Sequence, residues 1–150
     1  MRELYIKRIN PDLDCLRDIA IDVHLILSDV YDTPPWTFEQ TFSDLLKVDT
    51  IYFLAYHEEK PIGFLSAVEV MDEIEITNVA VIQDFRGQGI SSDLLSRLLK
   101  FDGTFFLEVR KSNEVAKSLY KKYNFQAFHE RKNYYKNPTE DAILMRLERL

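Results

Sequence analysis

A chain of 150 residues with 46% hydrophobic side chains has the size of one compact domain, and a single domain spanning residues 1–150 is expected. No apolar stretch approaches the roughly 20 residues of a membrane helix, and the N-terminus lacks a signal-type apolar core, so a cytoplasmic protein with no membrane attachment is expected. A formal net charge of −6 argues against a broad basic face for nucleic acid and suits a cationic partner better, while the single cysteine, Cys15, excludes an internal disulfide and forms no metal pattern with His24, His57 and His129.

Leu4, Ile6 and Arg8 alternate with Tyr5, Lys7 and Ile9 as in a strand. Asn10-Pro11 has the form of a helix cap with proline at the first helical position. The stripe Leu13, Leu16, Ala20, Val23 and Leu27 then predicts a helix ending near Ser28, with Asp12, Arg17 and Asp22 facing water. The paired prolines of Asp32-Thr33-Pro34-Pro35-Trp36 remove backbone donors and demand a loop. Thr37 and Gln40 have capping-box spacing and open a short second helix, whose apolar face is Phe38, Phe42, Leu45 and Leu46.

From Thr50 to Ile82 the period becomes extended. Ile51 to Tyr56, Ile62 to Val70 and Ile74 to Val81 read as a three-stranded antiparallel meander. In the last of these, Ile74 and Ile76 share a face but the next apolar pair, Val79 and Val81, is offset by three, which predicts a bulge. Ile90, Leu94, Leu95, Leu98 and Leu99 form an amphipathic helix that Asp102-Gly103 is expected to end. Thr104 to Val109, nearly all apolar, reads as a central strand. A helix follows over Asn113 to Tyr123, with Ala116, Leu119, Tyr120 and Tyr123 on one side and Asn124 in the left-handed closing position. Phe125 to Tyr135 and Ala142 to Leu147 complete the order βααβββαβαββ, an α/β (α+β) domain with a mixed, mostly antiparallel sheet, about four helices and a bulge in the fourth strand.

The chain has four glycines, and two of them, Gly87 and Gly89, fall between a strand and a strongly amphipathic helix. In such a turn, here Arg86-Gly87-Gln88-Gly89-Ile90-Ser91, the amides of the first helical turn lack intrahelical partners and the helix dipole is positive, so a pyrophosphate can be held by main chain alone. Arg86 can add charge. An ordinary strand-to-helix turn has the same appearance. The turn lacks the Lys-Ser/Thr ending of a Walker loop and follows an antiparallel meander, which argues against nucleoside triphosphates and dinucleotides. Glu108 lies in an otherwise apolar strand, where burial would raise its pKa and make it a better base; the plain alternative pairs it with Arg110, two residues on and on the same face. Tyr120 can be a core residue of its helix and Asn113 merely the cap, while Trp36, Tyr134 and Tyr135 can pack or bind.

Asn78-Val79-Ala80-Val81, Phe85 to Leu95, Leu107 to Asn113 and Ser118-Leu119-Tyr120 together resemble the core of the GNAT acetyltransferases. With Arg131-Lys132-Asn133-Tyr134-Tyr135 and Glu140 to Met145 they resemble more closely the ribosomal-protein-alanine N-acetyltransferases, the RimI type. The likeness covers the C-terminal half, and Pro35-Trp36-Thr37 is similar to that group's Pro-Trp-Ser/Thr. It implies a GNAT fold and acetyl-CoA as co-substrate, with no metal. Val79, Ala80 and Val81 would pair with the pantetheine arm; Arg86, Gly87, Gln88, Gly89, Ile90 and Ser91 would hold the pyrophosphate, although Ser91 stands where the family usually has Gly or Ala; Asn113 would contact CoA. By the same resemblance Glu108 becomes the general base, Tyr120 the general acid, and Trp36, Tyr134 and Tyr135 candidates for the acceptor groove.

Direct transfer without an acyl-enzyme is expected. An α-amino group, with pKa about 8, is more often neutral than a lysine at about 10.4, which favours a protein N-terminus as acceptor. A small amine such as a polyamine or an antibiotic is the competing acceptor, and a non-catalytic CoA-binding or interaction module the competing class. Neither nucleic acid nor membrane is expected as a partner, and the chain is expected to be a monomer or a homodimer.

Overall fold

The computed structural model describes residues 3–149. The elements run β1 (Leu4–Arg8), α1 (Leu16–Val30), α2 (Phe38–Leu45), β2 (Thr50–His57), β3 (Lys60–Val70), β4 (Glu73–Val81), α3 (Ile90–Leu98), β5 (Gly103–Arg110), α4 (Glu114–Lys122), β6 (Gln126–Tyr135) and β7 (Glu140–Arg149), with a 3₁₀ turn at Gln83–Phe85. The strands form one seven-stranded sheet in the order β1-β2-β3-β4-β5-β7-β6. The pairs β1–β2, β2–β3, β5–β7 and β6–β7 are antiparallel, and β4–β5 is parallel. This is the mixed, mostly antiparallel fold that the periodicities predict. No helix among the described residues is long and apolar enough to cross a membrane.

The chain divides into two compact units, the first comprising the residues up to Val68 with Asn78–Lys100, the second Glu69–Thr77 with the residues from Phe101 onward. In the first, α1 buries Ile19, Ala20, Val23, Ile26 and Leu27, the stripe of an amphipathic helix. Leu54, Phe64, Ile90, Leu94, Leu95 and Leu98 are also fully or almost fully buried there. Two tyrosines of β2 tie down the helices: the Tyr52 hydroxyl donates to Asp44 of α2 at 2.5 Å, and the Tyr56 hydroxyl to Asp22 of α1 at 2.7 Å. Burial, then the acceptor carboxylate, holds both phenols well above their ordinary pKa.

Helix α1 begins five residues later than Asn10-Pro11 suggests. Asn10 instead closes a turn: its Oδ1 accepts the Asp12 N–H at 2.9 Å, its own N–H donates to Asp14 Oδ2 at 2.8 Å, and Lys7 grips the other oxygen of Asp14 at 2.7 Å. Leu13 is 84% exposed as a result, and the first buried residue of the stripe is Ile19. A local side-chain closure has outcompeted the helical ladder.

In the second unit, β5 alternates, with Phe105, Leu107 and Val109 buried and Phe106, Glu108 and Arg110 half-buried between them, so one face of this interior strand stays partly open. Ile74, Ile76, Phe105, Leu107, Val109, Tyr120, Phe125, Ala142 and Met145 are buried there. Asn124 closes α4 with φ +72°. Helix α3 ends at Leu98 rather than at Asp102-Gly103. Gly103 instead opens β5 with φ +137°, where an added Cβ would stand 2.5 Å from the Asp72 carbonyl oxygen.

Strand β4 contributes to both units. Its burial alternates through Ile74 and Ile76 and then breaks phase, Ala80 and Val81 both being buried. The parallel register with β5 takes in Glu73↔Thr104, Ile74↔Phe105 and Glu75↔Phe106.

Candidate active site

The first unit holds the candidate residues of the β4 end and the glycine turn. Ala80 and Val81 are buried and Val79 is half-buried. Gly63 of β3 lies so close that a Cβ there would meet the Ala80 carbonyl oxygen at 3.1 Å and Ile90 Cγ2 at 3.5 Å, so a residue passed over in the sequence sets how tightly β3 packs there. The Ile82 N–H donates to the Ile62 carbonyl at 2.9 Å. Arg86 turns back, donating from Nε to the Val81 carbonyl at 3.3 Å, which ties the turn to the strand end.

Gly87 and Gly89 have φ of +78° and +79°, and an added Cβ at either would meet nothing within 4 Å. Both glycines are therefore required by backbone conformation, and the space beside them is open. Gly89 is the N-cap of α3 and offers no side chain to its first turn. The Asp93 N–H closes the ladder onto the Gly89 carbonyl at 2.9 Å, so the amides of Ile90 and Ser91 precede the first intrahelical bond. Gln88 is exposed beside them. Such a turn can hold an anion by main chain. Trp36, half-buried ahead of α2, lines a shallow hollow with Glu39, Gln40, Ser43, Asp44 and Lys47.

In the second unit Glu108 sits on the partly open face of β5 with its side chain 24% exposed, half-buried rather than sunk in the apolar strand that the sequence suggests. Arg110 is not its partner. That guanidinium donates to the carbonyls of Lys136 and Pro138, both at 3.0 Å, meets Glu140 at 3.3 Å and lies 4.5 Å from the centre of the Tyr135 ring. Tyr134 lies beside Glu108 instead, and the hydrogen-bonding pull and negative charge of that carboxylate raise the Tyr134 pKa. Arg131, absent from the candidates picked from the sequence, faces Glu108 Oε1 at 3.9 Å. It lies within the Arg-Lys-Asn-Tyr-Tyr stretch, but no spacing rule singled it out.

Tyr134 and Tyr135 meet edge to face at 5.2 Å, and burial pushes the Tyr135 hydroxyl up to about 12. Tyr120 is 7% exposed and tilted against Phe125 at 5.7 Å. Asn113 caps α4, its Oδ1 accepting the Ala116 N–H at 3.1 Å. Glu108, Tyr134 and Tyr135 thus come together, whereas Asn113 and Tyr120 lie near opposite ends of α4.

The model of the acetyltransferase (GNAT) family matches residues 16–125. The [ribosomal protein bS18]-alanine N-acetyltransferase of Haemophilus influenzae is 32% identical over 142 residues, 89% of this chain and 90% of its own. Its counterpart in Escherichia coli K12 is 35% identical over 122 residues, 75% of this chain and 80% of its own. The crystal structure of the ribosomal-protein-S18-alanine N-acetyltransferase from Escherichia coli superimposes with a TM-score of 0.83 at 28% identity, covering 97% of this chain and 93% of that one. The family model covers most of the chain and the likeness to these relatives extends along it: the protein belongs to the GNAT family and is an N-acetyltransferase.

Proposed function

We propose that the protein, acting as one domain in the cytoplasm, moves the acetyl group of acetyl-CoA to the N-terminal α-amino group of a ribosomal protein, with the N-terminal alanine of bS18 as the first acceptor to try. The observation that carries this reading is Glu108, a partly exposed carboxylate on β5 that lies beside Tyr134 and stands apart from the Arg110–Glu140 pair. The relatives named for bS18 alanine supply the acceptor.

Positive φ at Gly87 and Gly89, open space beside both, and the amides at the head of α3 suit a pyrophosphate. Acetyl-CoA supplies the acyl group as a thioester. The main chain of Val79, Ala80 and Val81 holds its pantetheine arm, Arg86 through Ser91 the pyrophosphate, and Asn113 a further contact. Glu108 would take a proton from the acceptor amine, directly or through water, and Tyr120 would return one to the departing sulfur; Trp36, Tyr134 and Tyr135 are candidates for contact with the acceptor.

The test is CoA release with a peptide bearing the bS18 N-terminus, the same peptide with its N-terminus blocked, lysine-bearing peptides and polyamines. Turnover confined to the free N-terminus is expected. Equal rates on lysine or polyamines would move the assignment to another amine, and acetyl-CoA binding without turnover on any amine would point to a non-catalytic module. Glu108→Gln and Tyr120→Phe should each lower kcat by about a hundredfold while acetyl-CoA binding measured by calorimetry holds; unchanged turnover would remove the corresponding role.

A further inference from the structure

Two residues that an unbroken strand would hold on opposite faces both reach the Glu108 carboxylate. Arg131 and Tyr134 are three apart on β6, and side chains three apart in a regular strand point to opposite sides. The register slips between them: from Arg131↔Ala142 to Tyr135↔Glu140 the chain takes more steps along β6 than along β7. Within the slip Asn133 adopts φ +52° and donates its N–H to Asp141 Oδ1 at 2.8 Å, and Lys132 meets Asp141 Oδ2 at 3.3 Å. The Arg131 guanidinium thereby stands 3.9 Å from Glu108 Oε1 and 5.4 Å from the centre of the Tyr134 ring, whose hydroxyl feels the same carboxylate.

We propose that Arg131 is a positioning residue, holding the Glu108 carboxylate and the Tyr134 ring in one arrangement so that the carboxylate is already aimed when an acceptor amine arrives. The proposal rests on the reading of Glu108 as the base. Other groups around Glu108 leave this task to Arg131. Arg110, on the same strand, is engaged with Glu140 and two carbonyls; Leu144, opposite on β7, is apolar; Tyr135 and Tyr134 of β6 are neutral below their raised pKa values; Glu75 of β4 adds negative charge near Tyr134.

The whole chain with acetyl-CoA and an acceptor peptide provides the assay. Arg131→Ala should lower kcat roughly tenfold with KM for acetyl-CoA little changed, as expected when a reacting group loses its orientation. Arg131→Lys should restore most of kcat, whereas Arg131→Gln should not. Wild-type kcat in Arg131→Ala would overturn the proposal, as would a loss confined to KM or a lysine variant no better than alanine. Glu108→Gln separates the two readings: its retained turnover would remove the base, while its inactivity beside an unaffected Arg131→Ala would remove the positioning role alone.

Discussion

Gly103 occupies a position that a side chain cannot enter without moving backbone. Its φ is +137°, and a Cβ there would meet the Asp72 carbonyl oxygen at 2.5 Å and its carbon at 3.3 Å. Asp72 cannot easily retreat, because the same oxygen accepts the Thr104 N–H at 2.8 Å. Gly103→Ala should therefore cost about 3 kcal/mol in a denaturant-unfolding experiment, since both strain and a backbone clash must be absorbed. Gly87→Ala, with φ +78° but nothing within 4 Å, should cost about 1 kcal/mol from conformation alone. Equal costs would show that the approach to Asp72 is not what fixes Gly103. The sequence singles out both glycines but misreads Gly103 as a helix stop, because a helix-ending glycine and a close backbone approach look alike in one dimension. Glu108 teaches the same lesson. Alternation correctly places Glu108 and Arg110 together on one half-buried face of β5. It cannot supply Arg131, whose position depends on a register slip two strands away.

Elements whose signal is local were legible, and those settled by competition were not. Thr37 and Gln40 form the capping box their spacing suggests: the Gln40 N–H donates to Thr37 Oγ1 at 3.1 Å and the Thr37 N–H to Gln40 Oε1 at 2.8 Å. The helix they open has eight residues, too short to hold itself, so its first turn leans on that cap. Thr37→Ala should lower stability by about 1 kcal/mol and Thr37→Ser by much less, measured as unfolding midpoints at constant slope. Asn10-Pro11 carries an equally good start signal, but Asp14 and Lys7 capture Asn10 in a turn and α1 starts at Leu16. The phase break in β4 could be read from Ile74, Ile76, Val79 and Val81, and burial breaks phase over the same stretch. How far β4 pairs with β5 was not readable, since a parallel ladder depends on residues about 30 positions apart in sequence.

At the scale of the molecule, the carboxylates held below their ordinary range decide how the fold responds to acid. Asp141 is lowered by the Asn133 N–H, Glu140 by Ser112, Glu130 by Lys111 and Asp14 by the Asn10 N–H, each of these causes being the largest at its site. A carboxylate lowered by folding stabilises the native state fully above its unfolded pKa, and that contribution disappears as pH falls through the folded value. The loss should begin near the ordinary values of 4.5 for glutamate and 3.8 for aspartate and continue below them. On the alkaline side the signs reverse: Lys132, raised by Glu130, and Tyr135, raised by burial to about 12, contribute below their unfolded values and lose that contribution as pH climbs through the folded ones. Stability should thus be level from about pH 6 to 9 and fall on both sides. Asp141→Asn isolates one member of the acid set. The variant should be less stable than the parent at pH 7, and the gap should narrow as pH falls below the ordinary aspartate value of 3.8, because the parent is then losing what the variant never had. Denaturant unfolding followed by the fluorescence of Trp36, the single tryptophan, gives both curves. A constant gap between them down to pH 3 would mean that the Asp141 contribution does not depend on its charge.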